Sequence, residues 1–542
     1  MKKNSFIEGT IIATLGILIV KVIGIVYVIP FNALIGEQGG ALYGYGYNIY
    51  QLFLSISSAG FPFAISKLTS EYYALNNKRA IRDTYDVALK IISVISIFMF
   101  IILFIFAPQI ADLILGSSIG GNTREDISFV VRLVSFAILV IPFLSVTKGL
   151  LQGYKYIAPY SISQVIEQVV RVIVILVGSF VCIKILKLPL RYAVGISMTG
   201  AFFGGLVAYL YLKNKIKKSD LLGKSDFDDD EKLIKKKEIA KKIFMYSIPF
   251  ILISLINNLY TTVDMILLSR TMSDILKFPA SVTESVVGVY TTWGIKLNNI
   301  ILAISTGLVT SLIPNIVTSY TKKDMDDVNL KFNKALQCVL LVIVPMTLFL
   351  SLLVKPVWTL FYGTSYYGPE VYKVFVFTAL FGGLYTIIVN TLQGLSKYKL
   401  VIFTVLIGLV VNAILDVPFM IFFDKIGMNV SYGAVVAALV GYTISIFLSM
   451  FQLNKKYGFT FKYTIKRLSK YIISWIIFVI VILLMKSIIP TELNSRVLQI
   501  PILMIFGLIS FGIYFFVNYK NGNLQEVFGD KIDKMIKKFL KK

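Results

Sequence analysis

Lys21, Arg171 and Lys296 occupy surroundings that disfavour charge. Each lies well inside a run of about 20 apolar residues, long enough at ~1.5 Å per residue to cross ~30 Å of hydrocarbon. Counting along the runs puts all three near the midplane. A charge there costs about 2.5–3.5 kcal/mol on insertion scales, so one that persists marks a candidate site. Three cations at one depth would form an electropositive cavity suited to an anion such as a phosphate ester or pyrophosphate. Glu167 stands one turn before Arg171, so this pair either locks its own helix or shapes that cavity. Lys21 and Lys296 either line the cavity or extend their stems toward an interface.

A second set is acidic. Asp264 falls late in one apolar run, and Asn412 and Asp416 fall one turn apart late in another. Two carboxylates and an amide oxygen form the hard-oxygen set that a small cation prefers, so Na⁺ or H⁺ is a candidate coupling ion. The alternatives are interhelical hydrogen bonding and, for Asp416, a local cap before Pro418. Arg132, near a run's outer end, reads as a snorkelling residue. Tyr43, Tyr45, Tyr47 and Tyr50 read as an interfacial aromatic belt, with sugar stacking as the alternative.

Composition removes several chemistries. The chain has 542 residues, 57% of them hydrophobic, and no histidine, so His-based catalysis and His metal sites are excluded. Cys182 and Cys338 lie in separate runs without a C-x-x-C, and no G-x-x-x-x-G-K-[ST] occurs. An ATP motor in this chain, a resident cofactor and an enzyme activity are therefore not expected. The opening Met1-Lys2-Lys3 and its apolar run resemble a signal peptide. The run is too long and lacks a small-residue cleavage site, so it reads as a retained first span.

The elements that position these groups are helices. Fourteen apolar runs predict an all-α polytopic membrane protein with short connections. The formal charge is +25, from 54 basic and 29 acidic residues. Most Lys and Arg fall on the side of both termini, which the positive-inside bias makes cytoplasmic; nucleic acid is not the expected partner. Weak matches recur at equivalent places: Ser58-Ala59-Gly60 with Ser305-Thr306-Gly307, and Leu151-Gln152-Gly153 with Leu392-Gln393-Gly394. Six spans per half is an even number, so the halves should be related by a pseudo-two-fold axis along the membrane normal. The expected organisation is an N-lobe over 1–212, a charged cytoplasmic linker over 213–242 and a C-lobe over 243–453. Spans thirteen and fourteen follow over 454–518, then a basic amphipathic tail over 519–542 on the membrane surface. Pro62, Pro142, Pro249, Pro314, Pro345 and Pro418 interrupt several runs and permit bending.

Gly60-Phe61-Pro62-Phe63-Ala64-Ile65-Ser66-Lys67 resembles the G-x-P-x-A-x-S-K signature of the stage V sporulation protein B branch of polysaccharide flippases. So does Leu150-Leu151-Gln152-Gly153-Tyr154-Lys155, continuing through Pro159 to Ser163-Gln164-Val165-Ile166-Glu167-Gln168 and Arg171-Val172. This branch belongs to the multidrug/oligosaccharidyl-lipid/polysaccharide exporter superfamily and includes the MurJ-type lipid II flippases. The resemblance spans the chain. It implies two six-helix lobes in a V, a central cavity, alternating access, and a lipid-tail groove at spans thirteen and fourteen. It also implies a bacterial plasma-membrane protein, expected to be monomeric. Its cargo would be lipid II, an undecaprenyl-pyrophosphate-linked sugar-peptide, or another polyprenyl-linked oligosaccharide, with a cation-coupled drug exporter as the more distant alternative. Lys21 and Gly24 keep the first cation and the glycine of the family's R-x-x-G-x-x-R-D pattern, while the second cation and acid are lost. Lys296 stands about where the family places an Arg. Asp264, Asn412 and Asp416 match the places of a Na⁺ site in some members.

Overall fold

The computed structural model describes residues 16, 19–116, 121–222, 234–491, 493 and 495–529. Much of the first apolar run, the acidic centre of the linker and the tail's amphipathic lysines (530–542) lie outside them. Among the described residues the fold is all-helical, without strands, and twelve stretches are long and apolar enough to cross a membrane. The packing forms two compact units, 1–292 and 293–542.

The first unit continues from helical residues 19–26 into α1 (Val28–Ser58), α2 (Phe61–Ala74), α3 (Lys78–Ile105), α4 (Ala107–Leu115), α5 (Arg124–Ser135), α6 (Ile141–Gly153), α7 (Ile157–Phe180), α8 (Leu190–Lys218), α9 (Lys236–Arg270) and α10 (Ala280–Gly288). Gly36, at φ 65°, breaks α1 into two segments, a conformation open to glycine for want of a Cβ. Pro62 and Pro142 stand in the first turns of α2 and α6, where a missing N–H costs nothing, so they start helices instead of bending them.

The second unit holds α11 (Gly294–Thr321), α12 (Met325–Leu352), α13 (Val354–Tyr362), α14 (Tyr367–Phe375), α15 (Phe377–Gly394), α16 (Tyr398–Lys425), α17 (Ser431–Tyr457), α18 (Lys462–Ile488), α19 (Arg496–Lys520) and α20 (Asn523–Phe528). The last two long helices pack on each other and on α12; Tyr514 donates from its hydroxyl to the Leu341 carbonyl at 2.9 Å.

Two differences from the sequence reading concern boundaries. α8 and α9 extend as helices to Lys218 and from Lys236, so the linker outside them is shorter than 213–242. The packing boundary also falls later than the repeat boundary, because α9 and α10 lie against α1, and α9 also against α2. Gly60 meets the backbone of Ser247, Phe63 packs on Phe250 at 4.1 Å, and the Lys67 ammonium lies 3.9 Å from the Tyr246 ring centre.

The internal repeat has a backbone counterpart. Lys155 after α6 and Ser396 after α15 both adopt positive φ, 64° and 59°. Both sit in the same helix-ending turn: Lys155 N donates to Gln152 O at 3.0 Å, and Ser396 N to Gln393 O at 2.9 Å. Asn76 and Lys323 repeat this after α2 and α11, and the following residues, Asn77 and Asp324, each cap the next helix through a side-chain oxygen.

Candidate functional site

Glu167 and Arg171 lie on one face of α7, a turn apart, and the Arg171 guanidinium donates to Glu167 Oε1 at 2.9 Å. The other carboxylate oxygen accepts from the Lys148 ammonium of α6 at 2.7 Å. The three side chains are 13% (Lys148), 18% (Glu167) and 24% (Arg171) exposed, so one carboxylate serves two cations with little water around them. α8 supports this cluster. A Cβ on Gly204 would stand 2.5 Å from the Glu167 carbonyl, and one on Gly200 2.9 Å from that of Arg171. The spacing Gly-x-x-x-Gly lets two membrane helices touch along their backbones and fixes the charged face of α7.

The helix that carries Lys21 lies beside α7. A Cβ on Gly16 would lie 3.0 Å from Ser161 Cβ, and one on Gly24 3.5 Å from Gln168 Nε2. The two contacts run in the same order along both helices, which puts partly buried Lys21 within about one turn of Glu167 along α7. The helix α1, which carries Tyr43, Tyr47 and Tyr50, packs against α7. Tyr43 and Tyr47 stack at 5.7 Å, and Gln51 donates to the Tyr47 hydroxyl at 2.6 Å. These tyrosines are not a lipid-facing belt: Tyr43, Tyr45 and Tyr50 are no more than 5% exposed. The glycines between them allow close approach, as at Gly46, where Val130 fills the space a Cβ would take.

Lys148 was missed in the sequence, where it seemed to follow the end of an apolar run ending at residue 147. The helix that carries it starts at Ile141 and continues to Gly153, which draws Lys148 into the bundle. The Leu-Leu-Gln-Gly segment of the same helix serves packing. Gly149 abuts the Pro62 backbone, a Cβ on Gly153 would stand 2.6 Å from Thr69 Cβ, and Ser70 donates to the Gly153 carbonyl.

Asp264 is buried near the end of α9 and accepts a hydrogen bond from the Tyr290 hydroxyl at 2.8 Å. Another acid of this unit, Glu284, is 4% exposed and accepts from the backbone N–H of Asn122. It fixes a turn in which Gly121 has φ 76°. In the second unit, Asn412 and Asp416 are fully buried on α16. That helix runs uninterrupted through Pro418 to Lys425, so Asp416 is not a cap. Lys296 is partly buried in the first turn of α11, and Asn298, two residues on, donates to the Thr378 hydroxyl at 2.9 Å. Thus Lys21, Glu167, Arg171 and Asp264 belong to the first unit, and Lys296, Asn412 and Asp416 to the second. Arg132 is exposed, donating to the Phe104 carbonyl at 3.3 Å with its guanidinium 5.6 Å from the Phe104 ring centre. Among the described residues no group of three or more His, Cys, Asp or Glu side chains gathers as a metal site.

The family model described as polysaccharide biosynthesis protein matches residues 6–319, more than half of the chain. The chain belongs to this family. Within the polysaccharide biosynthesis proteins, it is 28% identical to the lipid II flippase MurJ of Bacillus subtilis (strain 168), with 99% of each chain covered. Stage V sporulation protein B of the same organism is 24% identical over 63% of this chain and 64% of that protein. A solved structure of lipid II flippase MurJ in an inward closed conformation superposes with a TM-score of 0.65 at 16% identity, covering 94% of this chain and 99% of that one. That likeness shows a shared polytopic helical fold.

Proposed function

We propose that this chain carries lipid II, an undecaprenyl-pyrophosphate-linked sugar-peptide, from the inner to the outer leaflet of the bacterial plasma membrane by alternating access, with both termini cytoplasmic. The observation that carries the reading is the first-unit cluster: Lys148 and Arg171 against Glu167 leave a net charge of plus one in a low-dielectric bundle, to which partly buried Lys21 on the neighbouring helix would add a further cation. Such a group attracts a pyrophosphate and repels a lipophilic cation, which favours lipid-linked anions over drugs. Arg171 supplies a planar fork for phosphate oxygens, and Lys21 and Lys148 supply compact charges. Lys296 is the second unit's contribution. Of the α1 tyrosines, Tyr47 is the one only partly buried and would be the one to meet the first sugar. The full-length similarity to a lipid II flippase supports transport without bond formation. Spans thirteen and fourteen would accompany the lipid tail.

For coupling we propose Na⁺, with H⁺ as the alternative. Asn412 and Asp416 fit a Na⁺ ion: two hard-oxygen side chains on one helix face, withdrawn from solvent. Asp264, oriented by the Tyr290 hydroxyl, is the first unit's candidate. A bound cation would neutralise the buried Asp416 carboxylate, and membrane potential would add to the driving force.

The test is lipid II exposed at the surface of bacteria depleted of their own flippase and expressing this chain. Wild type should restore exposure, and Lys21→Ala with Lys296→Ala should remove it while the protein remains in the membrane. Full activity of that double variant would reject the cavity assignment. Failure of the wild type, with the protein present, would transfer the reading to another polyprenyl-linked sugar.

A further inference from the structure

The start of α18 carries four basic side chains on two faces, and only one face is used inside the protein. Arg467 donates to Glu526 Oε2 at 2.8 Å and to the Gly522 carbonyl at 3.1 Å, and Lys470 donates to the Asn521 carbonyl at 3.1 Å. These two fasten the end of α19 and the start of α20. Lys462 and Lys466, one turn apart, face the other way, toward the end of α17. Among the described residues neither joins an ion pair, and no carboxylate lines the space they border.

That space is a groove of about 630 Å³ between the end of α17 and the start of α18. Its wall is apolar: Phe447, Met450 and Phe451 on one helix, Phe461 and Ile465 on the other. Phe447 is 67% exposed and Ile465 65%, so the wall is open to the surroundings. Asn454 and Thr460 are polar groups at the turn, where the Asn454 amide donates to the Phe459 carbonyl. Apolar surface of acyl-chain dimensions thus ends at two lysines, at the level where membrane helices meet water. The lysine stems can lie along the aromatic wall while the ammonium groups stay at headgroup depth.

We propose that this groove is a binding site for an anionic membrane phospholipid. One acyl chain lies along Phe447, Phe451 and Ile465, and the phosphate is held by Lys462 and Lys466. The leaflet is the cytoplasmic one by the lysine bias of the sequence. The site is separate from the charged cluster on α7 and does not depend on what that cluster carries. Two lysines near the surface together favour an anionic over a zwitterionic lipid by roughly tenfold or more.

The experiment is native mass spectrometry of the purified full chain titrated with phosphatidylglycerol or phosphatidylcholine. Wild type should retain phosphatidylglycerol preferentially, and Lys462→Gln with Lys466→Gln should weaken that retention about tenfold. The matched control is Lys213→Gln with Lys217→Gln, an exposed pair of the same spacing near the end of α8. It should leave retention unchanged. Equal losses from both pairs, no loss from the first, or equal retention of the two lipids would overturn the site. Displacement of phosphatidylglycerol by a lower concentration of undecaprenyl phosphate would also overturn it, assigning the groove to the cargo's tail.

Discussion

The two halves of this chain share a backbone plan and differ in the charge placed on it. The turn after α6 and the turn after α15 use the same left-handed residue and the same pair of hydrogen bonds, at Lys155 and Ser396. In both units the glycine before that turn packs against the matching helix, Gly153 on α2 and Gly394 on α11. Carrying the same register onward aligns α7 with α16 and sets Arg171 beside Asn412, and Glu167 beside Gly408. The first half answers with two cations sharing one carboxylate, and the second with a buried amide and a buried acid. At these aligned positions a common scaffold therefore carries a basic cluster in one unit and an amide with an acid in the other.

Substitutions can break or sharpen this contrast. The largest expected effect is on stability: Glu167→Gln leaves Lys148 and Arg171 close together without their shared carboxylate, at a cost of about 3–5 kcal/mol. Thermal unfolding in detergent should show it, while Asn412→Ala, which unbalances no cation pair, should cost visibly less. Arg171→Ala should reduce lipid II exposure about 10–100-fold through loss of charge-assisted hydrogen bonds. Lys at that position should restore only part, since it lacks the fork. The glycine pair sharpens the comparison of scaffolds. A Cβ at Gly153 meets Thr69 Cβ at 2.6 Å and the Ser66 carbonyl at 2.7 Å, whereas one at Gly394 meets only the side-chain methyls of Ile313 and Val317. Gly153→Ala should cost about 1–3 kcal/mol and Gly394→Ala less than ~1, read as a difference in melting temperature. Arg132→Gln, at an exposed cation, should change stability by under ~0.5 kcal/mol. An effect as large as that at Arg171 would mean the charged site extends beyond the cluster described.

Much of this was legible in the residues, for physical reasons. Apolar runs of membrane length force helices, because no other open element satisfies its backbone in lipid. Leu151-Gln152-Gly153 and Leu392-Gln393-Gly394 disclosed the repeat because each closes a helix with a glycine packed closely on a neighbouring helix. Glu167 and Arg171 were visible as a pair because i,i+4 spacing is local. Lys148 was hidden because its depth depends on where α6 starts and ends, and the apolar run seemed to stop one residue short of it. The tyrosines of α1 were misread as a belt because an aromatic among glycines looks the same facing lipid or facing a neighbouring helix. The alternative of Asp416 as a cap arose because proline suggests a helix end, yet α16 passes through Pro418 unbroken.

The role proposed for the cluster on α6 and α7 is to hold the anionic end of the cargo. The most direct test is lipid II binding by the purified full chain in sodium-free buffer, comparing wild type with Lys148→Ala plus Arg171→Ala and with Asn412→Ala. Affinity should fall about tenfold or more for the first-unit pair and stay unchanged for Asn412→Ala. Equal affinity for wild type and the first-unit pair, or a loss confined to Asn412→Ala, would contradict it.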